Sequence, residues 1–177
     1  MLIIVARWFT SSSRPAPESR KATTLATTNR TTGRTTNLQK AAQGVGAVFL
    51  LVGVLGFIPG ITSNYDSLSF AGHGSEALLL GIFQVSVLHN IVHLLFGAAG
   101  LAMARSHSGS RNFLLYGGVV YLVLWLYGLL VDHDSVANFV PVNSADNWLH
   151  LLLGLAMIAL AILLSRDPRA RGVATSR

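Results

Sequence analysis

HNIVHLLFG from position 89 and DNWLHLLLG from position 146 set His89, Asn90, His93, Asn147 and His150 into otherwise apolar sequence. Two kinds of chemistry suit these residues. Imidazole is a common ligand for haem iron, zinc or copper. His89 and His93 stand four apart on one helix face, and His150 would come from another helix. A glycine four residues past a histidine, as at Gly97 and Gly154, would leave room for a porphyrin edge. The other chemistry is hydrogen bonding, because an unpaired amide or imidazole in hydrocarbon costs several kcal/mol.

Three features favour the second. No Arg or Lys lies on the side where haem propionates would sit, amide neighbours are available to the histidines, and no thiolate or intramembrane carboxylate completes a metal shell. The five residues are therefore read as a structural polar cluster, with a ligand site as the alternative. No catalytic, cofactor-binding or metal residue is assigned, and no cofactor is expected.

Aligning Asn90–Ala104 with Asn147–Ala161 gives eight identities in fifteen, among them Asn-x-x-His-Leu-Leu-x-Gly. FLLVGVLGF at 49 echoes YLVLWLYGL at 121 more weakly. The chain thus reads as two copies of an outward helix, a loop and an inward helix, related by an axis along the membrane normal. Symmetry then suggests reciprocal pairing of Asn90 with His150 and of Asn147 with His93. Gly97 and Gly154 would permit the approach, and Ala98, Gly100, Ala102, Ala156 and Ala159 would continue the close face.

The elements that must position these groups follow from composition. The 177 residues are 51% hydrophobic and 11% charged, with a mean hydropathy of +0.54, values that point away from a soluble globule. Four stretches free of Asp, Glu, Lys and Arg run over about 41–58, 86–104, 113–131 and 148–164. At about 1.5 Å per residue each approaches the roughly 30 Å of a bilayer core, which predicts four transmembrane helices.

Seven of the 13 basic residues fall in the first 40 positions, two are Arg105 and Arg111, and four lie from Arg166 onward. Five of the seven acidic residues, Asp66, Glu76, Asp132, Asp134 and Asp146, occupy the two other connections. This partition predicts both termini and the central loop in the cytoplasm, with two acidic loops outside. The pI near 10.5 then reports topology, and no nucleic-acid partner is inferred. Phe57, Tyr65, Phe70, Trp125, Tyr127 and Trp148 fall where an outer interfacial belt is expected. With no cysteine, disulfides, thiolate metal sites and iron–sulfur clusters are excluded.

Residues 1–40 form a Thr-rich basic stretch expected to be disordered; 41–165 form the membrane domain, and 166–177 a basic tail. The opening MLIIVARWF is too short for a signal peptide, so the first span is expected as an uncleaved anchor. SEALLLGIF, with Ser75 as a cap and Glu76 in the first turn, predicts a short interfacial helix over 76–85. Asp132-His133-Asp134 reads as a solvated loop, although it could hold a cation. No nucleophile elbow, phosphate loop or metalloprotease helix is present.

GAVFLLVGVLGFIPGIT, FQVSVLHNIVHLLFG, YLVLWLYGLLVDHDS and NWLHLLLGLAMIAL together resemble a bacterial four-span membrane family known only as a domain of unknown function. The similarity covers roughly Gln43 to Leu164. It implies the fold and a plasma-membrane location, and it supplies no catalytic residues.

The expected fold class is all-α: a four-transmembrane-helix bundle built from two parallel-related helical hairpins, an internal repeat, with both termini cytoplasmic. The expected function is a structural or accessory interaction component of the bacterial plasma (inner) membrane, not an enzyme. Its expected partners are the lipid bilayer and either a second copy or other membrane proteins. A histidine-ligated haem or metal redox protein is the alternative, and a small transporter the third class.

Overall fold

The computed structural model describes residues 35–166. Of the arm expected to be disordered over 1–40, residues 1–34 lie outside the described residues, as does the tail beyond Arg166, whereas Asn37–Lys40 are helical, with Thr36 as their cap. Four helices dominate: α1 (Asn37–Leu55), α2 (Val87–Met103), α3 (His107–Leu130) and α4 (Ser144–Leu164).

Each helix starts where a polar side chain can take up orphan amide hydrogens. Thr36 and Gln39 form a reciprocal capping box at α1, and the Asn143 side chain accepts from Asp146 N at α4. Ser86 and Ser106 cap α2 and α3. Consequently α1, α3 and α4 begin four, six and four residues ahead of the apolar stretches read from composition, because a capped polar first turn carries no hydropathy signal. Gln39 also reaches across to the far end of α2, its Nε2 donating to Ala104 O at 3.2 Å and Arg105 O at 3.1 Å.

Helices α1, α3 and α4 are each long and apolar enough to cross a membrane; α2 is apolar but has 17 residues, a rise of about 25 Å. The reason lies upstream of Ser86. The helix expected over 76–85 is instead part of a small antiparallel sheet, β1 (Thr62–Ser63), β2 (Leu78–Leu79) and β3 (Phe83–Gln84), in the order β1-β2-β3. Leu80 and Gly81 turn the chain with φ of 54° and 71°, left-handed values that no helix continues through. Ser75 does not cap: its buried hydroxyl donates to Val85 O at 2.6 Å. Thr62 ties the sheet to the end of α1, its hydroxyl donating to Leu55 O at 3.1 Å.

Helix α1 packs along α2 and α3 along α4, with α1 also touching α3. Leu38, Ala42, Phe49, Ala104, Phe113, Leu114, Tyr121, Met157 and Ala161 form the buried core between them. Ala77, Leu79 and Val85 make a smaller cluster beneath the sheet. Outward faces carry Leu51, Leu95, Val123, Leu152 and Leu163, all largely exposed, as hydrocarbon-facing surfaces would be.

Candidate functional site

The helix periodicity that puts Asn90, His93 and Gly97 on one stripe turns that stripe toward α1. A Cβ placed on Gly97 would lie 2.7 Å from Gly46 O, and one on Gly154 would lie 2.9 Å from Gly118 O. The glycines therefore bring α2 against α1 and α4 against α3, each against the helix that precedes it in the chain. Gly100 is buried against Phe113, whereas Ala98, Ala102, Ala156 and Ala159 are exposed and line no close seam. Residues one step around the helix from a buried glycine face outward, a distinction that composition alone does not carry.

The reciprocal Asn–His bonds are not made. Neither Oδ1 nor Nδ2 of Asn90 has a hydrogen-bond partner, and neither does Oδ1 of Asn147 or Nδ1 of His89, His93 and His150. Each asparagine instead packs against the glycine at the end of the preceding helix, Asn90 on Gly56 and Asn147 on Gly128, where any Cβ would overlap the amide. The preceding helix, through Gly56 or Gly128, fills the space in front of each asparagine, and the other histidine-bearing helix does not.

The histidines do converge. His89 and His93 stack with ring centroids 4.5 Å apart, His93 stacks on Phe49 at 5.7 Å, Phe49 on Tyr121 at 5.3 Å, and His150 meets Tyr121 edge-on at 5.4 Å. This run of rings crosses from α2 through α1 and α3 to α4. Beside it lies a cavity of about 190 Å³ lined by all three histidines, Tyr121 and Asp146, with Phe49, Val52, Phe83, Val85 and Leu153 among its apolar walls.

Asp146, expected in the second acidic loop, is buried in the first turn of α4. Its Oδ2 accepts from Gln84 N and Asn143 N, both at 3.0 Å, and Asn143 Nδ2 donates to Ile82 O at 2.8 Å. The sheet is thus strapped across the end of α4 and over the cavity. The signal available beforehand was the N-x-x-D spacing of a cap at 143–146. Phe49 and Tyr121 also went unassigned, although they open the two segments that echo each other. In the acidic loop, Asp132 and Asp134 are exposed and His133 Nε2 bonds Gly128 O at 3.0 Å. Among the described residues no group of three or more His, Asp or Glu side chains is arranged to hold a metal ion.

A family model described as a domain of unknown function (DUF4383) matches residues 39–163. The chain belongs to this family. The match takes in all of α2 and α3, the sheet, every residue of the histidine cavity, and all but the outermost residues of α1 and α4. Comparison with curated proteins and with solved structures gives no match.

Proposed function

We propose that the chain is an integral membrane protein of four spans, an accessory component of the plasma membrane that works by holding a small guest in its histidine cavity. The observation that carries this reading is the convergence of three histidines from two helices, with Asp146, on one otherwise apolar cavity. A mainly apolar pocket with a few convergent polar groups is the usual form of a small-molecule site.

Four spans are supported even though α2 is short. It packs along α1, and only Ala104–Ser106 separate it from α3, so a chain whose α1 and α3 cross the bilayer carries α2 across with them. The distribution of Lys and Arg supports cytoplasmic termini and outer loops at 56–86 and 131–143.

Two hairpins related as copies are supported by equivalent contacts. Gly46, Phe49 and Gly56 recur as Gly118, Tyr121 and Gly128 at a constant step of 72 residues, and His89, Asn90, His93 and Gly97 correspond to Asp146, Asn147, His150 and Gly154 at a step of 57. Gly46 meets Gly97 as Gly118 meets Gly154, and Phe49 meets His93 as Tyr121 meets His150.

The haem and metal reading fits less well. The cavity of about 190 Å³ is below the roughly 300–1,000 Å³ of pockets for drug-sized ligands, and a porphyrin is larger still. The His89 and His93 rings stack directly on each other, leaving no room between them for a metal plane.

The absence of native cysteine allows a direct test of topology. Ser135→Cys should react with a membrane-impermeant maleimide on intact cells, and Ser106→Cys only after permeabilisation. Equal labelling of both before permeabilisation, or the reverse order, refutes the arrangement.

A further inference from the structure

Resting on the reading of the histidine cavity as a binding site, we infer that its guest is an uncharged six-membered ring bearing oxygen, of quinone or quinol type, entering laterally from the bilayer. Four observations converge on that class.

Size comes first. A cavity of about 150 Å³ lined by aliphatic and aromatic side chains takes benzene, so about 190 Å³ takes one substituted ring. Shape follows from the walls. The stacked run His89, His93, Phe49 and Tyr121 gives the cavity flat aromatic surface, which favours a flat guest.

Polarity is set by the histidines. In its neutral form an imidazole carries one donor and one acceptor. His93 on α2 and His150 on α4 can therefore bond to carbonyl oxygens or to hydroxyl groups, and the same cavity can hold either oxidation state of such a ring. Charge is disfavoured on both signs. No Lys or Arg lines the space to hold an anion, and the single carboxylate there, Asp146, has its Oδ2 taken up by the N–H groups of Gln84 and Asn143, leaving one oxygen, Oδ1, against an otherwise apolar lining. The remaining walls are mainly apolar, where an unpaired charge is expensive.

The route of entry follows from the rim. Val48 on α1, Leu80 in the β2–β3 turn and Leu149 on α4 line the cavity, yet are 56%, 60% and 42% exposed. The opening therefore lies between α1 and α4 among residues that face hydrocarbon. The sheet, strapped to α4 through Asp146 and Asn143, covers the remaining end.

Duroquinone and durene test the inference, since both are flat tetramethylated six-membered rings of similar size, and durene carries ring C–H where duroquinone carries its two carbonyl oxygens. Titration calorimetry on the full chain in micelles should show saturable duroquinone binding, with durene at least tenfold weaker. His93→Leu and His150→Leu should each weaken duroquinone about tenfold, the loss of one hydrogen bond. Val52→Phe, with unchanged helicity, should abolish binding by filling the space.

Equal affinity for durene overturns the oxygen-bearing class while leaving the cavity as a binding site. Binding of neither compound overturns the binding-site reading and this inference with it. Duroquinone binding that survives Val52→Phe places the guest elsewhere and also overturns it. If the histidine variants do not fold, the comparison of the two compounds on the unaltered chain still decides.

Discussion

Asn90 lays its side-chain amide against the bare Cα of Gly56, filling the space that any larger residue there would need. Asn147 stands in the same relation to Gly128. Gly56→Ala and Gly128→Ala should therefore each destabilise the protein by about 1–3 kcal/mol, the usual range for overpacking. Gly44, with nothing within 4 Å of an added Cβ, provides the contrast. Gly44→Ala should be neutral or gain up to about 1 kcal/mol through helix propensity. Unfolding in mixed detergent micelles measures all three, and equal effects would remove the close-packing argument.

Asp146→Ala should free the strap. It leaves Gln84 N and Asn143 N without their acceptor, at about 1–3 kcal/mol for an unsatisfied buried group. Amide exchange at Gln84 should quicken at least tenfold while exchange in the middle of α3 stays unchanged. Asp146→Asn, which retains a side-chain oxygen, should fall between the two. Uniform quickening throughout the chain would mean that Asp146 supports the whole fold and not the strap alone.

Gln39→Ala removes half of the capping box at Thr36 and both bonds to the end of α2. Thr36→Ala removes only the hydroxyl side of the cap, worth about 1 kcal/mol. The larger loss should therefore follow Gln39→Ala, and melting temperatures of the two variants rank them. A larger effect from Thr36→Ala would show that the tie to α2 contributes little.

Protein purified in detergent should show no Soret absorption and less than stoichiometric iron, copper or zinc. A Soret band that disappears in His150→Leu would restore the haem reading over a guest ring.

What was legible in the sequence was carried by strong, repeated signals. Uncharged apolar runs marked all four helices, and Asn-x-x-His-Leu-Leu-x-Gly marked the two that bring histidines to the cavity. The starts of α1, α3 and α4 were hidden because polar caps at Thr36, Ser106 and Asn143 lie outside any apolar run. LLLGIF at 78–83 misled for a different reason. Its composition suits a short helix, and only the left-handed backbone at Leu80 and Gly81, together with pairing to Thr62–Ser63, makes it a hairpin. The destination of the asparagines was out of reach as well, since whether a polar side chain finds a histidine or a glycine depends on helix rotation.

The two proposed halves do not share the covering piece. Between α1 and α2 the chain carries the three strands, whereas residues 131–143 between α3 and α4 form neither helix nor strand. Leu79, Leu80, Phe83 and Val85, all from the longer connection, line the cavity. The chamber thus has a one-sided roof, so a ring held there would meet different surroundings at its two edges. The unequal lengths of the two loops would then set the orientation of such a guest.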